Sequence, residues 1–110
     1  MSNQQDHQVD ATVIMNAIEM KETCIILDVR TPEEYKRGKI GESINIPVDQ
    51  VEQQVRSIIP DTSAKIYVYC LSGSRSAYAV NVLLKLGYSN VYDLAHGLLS
   101  WRIHRFPINI

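Results

Sequence analysis

No run of about 18 apolar residues occurs anywhere in this chain, so no segment reads as a membrane-spanning helix. The opening stretch, Met1 to Asp10, lacks the basic start and apolar core of a secretory signal. Charge of one sign is also lacking. With 11 basic against 12 acidic residues, no long-range field draws the molecule to nucleic acid or to an anionic membrane, and any anion site has to be local. Cysteine is scarce: Cys24 and Cys70 form neither a C-x-x-C pair nor a zinc cluster, and His7, His96 and His104 show no metal-ligand spacing. The chain therefore reads as soluble and cytoplasmic, a setting in which both thiols stay free. Repeats, low-complexity tracts and Gly/Ser-rich linkers are absent too.

What is present is enough for one core. A chain of 110 residues with 45% hydrophobic and 21% charged content has the size of a single compact domain. Residues 1–9 stand apart as a polar, loosely ordered N-terminal segment, and residues 10–110 read as one unit. Apolar runs rich in β-branched residues lie at Cys24–Val29, Ser43–Ile46, Lys65–Cys70 and Asn90–Leu94. They are unbroken rather than alternating, as strands covered on both faces are. Between them the period becomes helical. Val13, Ile14, Ala17 and Ile18 line a helix beginning near Asp10, and Thr31-Pro32-Glu33-Glu34 carries a capping box with proline at the first helical position. Gly38 ends that short helix. Asp49 is the expected cap of a helix with Val51, Val55, Ile58 and Ile59 on one face, and Ala79, Val82, Leu83 and Leu86 line another that stops at Gly87. Strands alternating with helices predict an α/β fold, a mostly parallel central sheet with helices on both faces. In such folds the active crevice opens at the carboxyl ends of the strands.

Cys70 stands at such an end. It closes the run Ile66-Tyr67-Val68-Tyr69, and Leu71-Ser72-Gly73-Ser74-Arg75-Ser76 then leads straight into the Ala79–Leu86 helix. Backbone N–H groups of a strand-to-helix turn, with the helix dipole behind them, make an anion cradle that favours a thiolate. Arg75 can hydrogen-bond an oxyanion in that cradle or turn outward to an acidic side chain. Cys24 opens a strand with neither cation nor glycine loop after it and reads as packing. Asp28 and Arg30 end a strand where a site would find them, either fixing the Thr31 turn or tuning the site from behind.

Cys70-Leu71-Ser72-Gly73-Ser74-Arg75-Ser76 resembles the active loop of rhodanese-type sulfurtransferases. Leu27 to Tyr35, Gly38-Lys39-Ile40 and Ser43 to Pro47 are similar, in order and spacing, to that family's entry segment, and Leu86-Gly87-Tyr88, Val91-Tyr92 and Gly97 to Trp101 to its closing segment. The resemblance implies a rhodanese-like sheet of about five strands and sulfur transfer through a persulfide on Cys70, with the amides and side chains of Leu71, Ser72, Gly73, Ser74, Arg75 and Ser76 binding the substrate. Its implied partners are a sulfur donor, thiosulfate or a persulfide, and a thiol or cyanide acceptor, either of which can be carried by a protein. No metal or organic cofactor is implied.

Three positions depart from the family pattern. Leu71 replaces a common basic residue, Lys39 a common histidine, and His96-Gly97 a paired glycine. With one loop cation instead of two, thiosulfate is expected to bind poorly, and a persulfide is the expected donor. His96 can narrow the pocket mouth or shuttle a proton. Tyrosine phosphatases have a loop one residue longer between Cys and Arg; the shorter ring here suits one sulfur atom and not a phosphoryl group. A sulfur carrier or protein-binding module with little small-molecule turnover is the alternative reading. The apolar tail Phe106 to Ile110 is expected to dock on the body or on a partner.

Overall fold

The apolar runs become strands in a computed structural model that describes residues 7–110. They are β2 (Ile25–Asp28), β3 (Ile44–Asn45), β4 (Ile66–Tyr69) and β5 (Val91–Leu94), and they follow a short first strand, β1 (Gln8–Val9). All pairings are parallel, in the order β1-β5-β4-β2-β3. β4 thus lies in the middle, with Val68 in register with Leu27 on one side and Asp93 on the other. The helices are α1 (Ala11–Glu19), α2 (Pro32–Arg37), α3 (Val51–Ile58), α4 (Ser74–Lys85) and α5 (Gly97–Ile103). This is the expected α/β architecture. No helix among the described residues is long and apolar enough to cross a membrane.

Successive strand residues point to opposite faces, so each strand serves two cores. Leu27, Val29, Ile66, Val68 and Cys70 face α3 and α4, packed with Val51, Val55, Ala79, Val80 and Leu83. Ile26, Tyr67 and Tyr69 face the other way, against Ile14 of α1 and Leu98 and Trp101 of α5. A fully buried isoleucine such as Ile14 contributes about 2–3 kcal/mol by leaving water.

The N-terminal segment read as polar, residues 1–9, is part sheet. Its residues 1–6 lie outside the described residues, but Gln8 and Val9 pair with Asp93 and Leu94 at the sheet edge. Main-chain bonding to β5 makes this strand, so no apolar run announces it. Among helix starts, Asp10 accepts from the Thr12 amide, and Thr31 and Glu34 form the expected reciprocal box. The Asp49 cap is corrected. Gln50 N–H bonds the Pro47 carbonyl, closing a 3-10 turn over Val48–Gln50, so Gln50 takes the cap position of α3 without a side-chain bond. The C-terminal tail docks on the body: Trp101 Nε1 donates to the Pro107 carbonyl at 2.9 Å, and Lys39 and Asn109 exchange backbone bonds of 2.8 Å.

Candidate functional site

Cys70 follows β4 directly, and its side chain falls on the α4 face because β4 alternates. Gly73, with φ +115°, turns the chain into α4 in a conformation that side chains rarely adopt. The N-cap residue of α4, Gly73, has no side chain with which to cap it. The sulfur takes that role: Gly73 N–H donates to Cys70 Sγ at 3.1 Å and Ser76 N–H at 3.4 Å. Of the six loop amides expected to form the cradle, these two reach the sulfur, with the dipole of a 12-residue helix aligned behind them. The Ser76 hydroxyl adds a third contact at 3.5 Å. Cys70 is completely buried.

The other side of the loop is held by α5. Leu98 N–H donates to the Cys70 carbonyl at 2.9 Å and Leu99 N–H to the Leu71 carbonyl at 3.1 Å. In a planar trans peptide the N–H points opposite to the carbonyl, so both bonds turn the amides of Leu71 and Ser72 away from α5. Gly97 permits this approach: a Cβ there would lie 2.5 Å from the Cys70 carbonyl oxygen, and its φ is +57°. This role of Gly97 is visible only once α5 is seated on the loop. His96 meets the loop through its backbone, its N 3.5 Å from where a Gly73 Cβ would be, and its side chain is exposed.

Arg75 takes the outward of its two expected positions. Nη1 and Nη2 bond the two carboxylate oxygens of Glu34 at 2.7 and 3.1 Å. This bidentate pair, aided by the Thr31 amide, holds the Glu34 carboxyl down at about 2. Glu34 thereby joins the cap of α2 to the first turn of α4. Leu71 is half-buried, and Ser72 and Ser74 are exposed.

Asp28 and Arg30 form a buried scaffold. Arg30 Nη2 bonds Asp28 Oδ2 at 2.7 Å and the Gly38 carbonyl at 2.6 Å, while Tyr69 OH donates to Asp28 Oδ2 at 2.7 Å. Burial disfavours the Arg30 charge, but its bonds to Asp28 outweigh that and raise its pKa. Asn45 ties the same turn through the carbonyls of Asp28 and Arg30. The pair anchors Tyr69, the residue before Cys70, through the Tyr69 hydroxyl bond to Asp28. Asp93 is a further group that the sequence reading passed over. It is buried on β5 and accepts the Ser76 hydroxyl hydrogen bond. Its signal was an acidic residue inside an otherwise apolar strand.

Cys24 belongs elsewhere. It lines a cavity of about 420 Å³ near the amino end of β2, with Met15, Ile18, Ile26 and Trp101. Burial, helped by the Glu22 charge, pushes its thiol pKa up, away from reactivity. A shallower hollow of about 330 Å³ borders the Cys70 loop and is lined by Val48, Asp49, Ser74, Arg75 and Tyr78.

Known proteins match this chain over nearly its whole length. Residues 10–104 match the rhodanese-like domain. The chain is 28% identical over 102 residues to a sulfurtransferase of Allochromatium vinosum, covering 93% of this chain and 94% of that one. It is 35% identical over 65 residues to thiosulfate sulfurtransferase PspE of Escherichia coli, 59% of this chain and 62% of that protein. The crystal structure of a rhodanese-related protein from Thermoplasma volcanium superimposes with a TM-score of 0.82 at 33% identity, covering 94% of this chain and 97% of that one.

Proposed function

Because this chain belongs to the rhodanese-like domain family, a family of sulfur transfer, we propose that it moves a sulfane sulfur through a persulfide on Cys70. The observation that carries this reading is the sulfur at the head of α4, accepting the Gly73 and Ser76 amides at 3.1 and 3.4 Å. Two N–H donors and a helix dipole stabilise negative charge on sulfur. The thiolate attacks the outer sulfur of the donor, the donor's remaining fragment leaves with the bonding electron pair, and a thiol or cyanide then takes the outer sulfur from Cys70.

Two features favour a persulfide over thiosulfate as donor. Leu71 brings no charge to the loop, and the Arg75 guanidinium is engaged by Glu34, so a dianion meets little fixed positive charge beyond the amides. Cys70 is also buried under the loop, which suits the slender divalent sulfur behind a persulfide's terminal sulfur better than the three-oxygen sulfonate behind that of thiosulfate. The hollow beside Arg75 and Tyr78 is where the remainder of the donor would rest. A reduced thiol of this kind suits the cytoplasm. The same features support a second reading, a sulfur carrier that loads from a protein persulfide and turns over small molecules slowly.

Intact mass after incubation with cysteine persulfide or with thiosulfate tests this. A gain of about 32 mass units on the Cys70 peptide, removed by cyanide or reductant, is expected of a persulfide. Loading from the persulfide should exceed loading from thiosulfate. No gain from either donor would reject the reading, and loading without cyanide turnover would select the carrier.

A further inference from the structure

The sulfur has a buried acidic neighbour one residue removed. Asp93 is 2% exposed, and its Oδ1 accepts from the Ser76 hydroxyl. The same Ser76 oxygen stands 3.5 Å from Cys70 Sγ and 3.2 Å from the Gly73 carbonyl. A serine hydroxyl carries one proton and can accept on its remaining lone pairs. Its proton therefore chooses among three acceptors, and the shortest contact is the one to Asp93. With the proton turned that way, the Ser76 oxygen is left to accept from the Cys70 S–H.

We propose that Asp93, acting through Ser76, is the internal proton acceptor for Cys70 and a positioning residue of the thiolate. The Cys70 S–H bond breaks as an O–H bond forms at Ser76 Oγ, and the original Ser76 O–H bond breaks as Asp93 Oδ1 takes that proton. The site passes from thiol with carboxylate to thiolate with carboxylic acid. It holds one negative charge before and after, so no charge is moved between water and the interior and no other reactant is needed. Afterwards the Ser76 hydroxyl donates to the sulfur, joining the amides of Gly73 and Ser76.

The surroundings of Asp93 suit an acceptor. Burial raises its pKa, against the Ser76 hydroxyl and the Gln8 side chain, which lower it. From β1 it faces Gln8, from β4 the apolar Val68, and from α4 Ser76 with Cys70 beyond. His96, leading into α5, is exposed. Arg75, the cation that senses Cys70, is paired with Glu34. Among the described residues no cation stands within ion-pair distance of Asp93.

The inference rests on the sulfur-transfer reading for its purpose, but the proton transfer can be measured without a sulfur substrate. The readout is the rate of iodoacetamide alkylation of Cys70 against pH, in a Cys24→Ser background. Two groups sharing a proton titrate in two macroscopic steps. In that background the rate should rise, reach a plateau set by the pair's internal equilibrium, and rise again. Asp93→Asn and Ser76→Ala should each leave a single rise of about tenfold per pH unit to one plateau, and Ser76→Thr should restore two steps. A single step in the background protein, or two steps surviving in folded Ser76→Ala, would overturn the relay. Sulfur loading on the same samples separates the two ideas. Loading with a one-step profile rejects the relay alone, and a two-step profile without loading supports the relay and rejects the transfer reading.

Discussion

The two cysteines show how far position, rather than residue type, sets the surroundings of a thiol. Cys70 meets two amides at the head of α4, whereas Cys24 lies against apolar side chains that push its proton affinity up. Cys70→Ser should reduce sulfur transfer to background while thermal unfolding stays near that of the parent. Cys24→Ser should keep activity within about twofold, as expected of a packing position. Peptide-mapped loading and thermal melts check both, and equal losses would misplace the chemistry. Cys70 could be read from sequence because the strand, the glycine turn and the helix that make its cradle are contiguous. Asp93 shows in the sequence only as an acidic residue in an apolar strand, and its partner could not be read, since the contact with Ser76 crosses from β5 to α4.

Among elements, the site is a joint between α2, α4 and α5. Glu34 links the first two, and its lowered pKa is a statement about stability. The unfolded carboxyl holds its proton more tightly than the folded one, so this pair stabilises the fold above the ordinary value of 4.5 and the contribution fades as pH falls toward about 2. A half-exposed pair of this kind contributes on the order of 1 kcal/mol. Glu34→Gln should lower stability by that amount at neutral pH and by little near pH 2, measured by urea unfolding across pH. It also frees Arg75 to swing over the cradle, so thiosulfate loading should rise. On the far side Gly97 lets α5 clasp the loop. Gly97→Ala puts a methyl against the Cys70 carbonyl at positive φ, and a cost of about 1–3 kcal/mol with slower persulfide loading is expected. Loading kinetics on protein shown to be folded by circular dichroism would check it. The α2 capping box was visible in the sequence as four adjacent residues; its ion pair with Arg75, 41 positions away, was not.

For the whole molecule, five parallel strands place every strand end that matters on one edge, and the C-terminal tail closes the opposite core. Phe106 packs edge-on against Trp101 at 5.1 Å between ring centres, and Ile108 fills the space over Gly38. Removing residues 106–110 should cost on the order of 2 kcal/mol, about 10 °C in Tm for a domain of this size. An unchanged melting curve would show that the tail is an accessory. The near-balance of charge implies that donor recognition is short-range, in keeping with the hollow beside Tyr78.

Sequence by itself determined the α/β class, the four strands that lie in apolar runs, the capped start of α2, and the strand-to-helix loop that follows Cys70. Each is written in neighbouring residues or in a local period, where sterics and hydrophobic alternation act without long-range information. Tertiary structure decided the rest: the edge strand Gln8–Val9, the 3-10 turn that displaces Asp49, the turn of Arg75 toward Glu34, the clasp of Gly97 on the loop, and the Asp93–Ser76 bond at the sulfur. All of these depend on which distant backbone or side chain the folded sheet brings within hydrogen-bonding or contact distance, and that choice is made by packing.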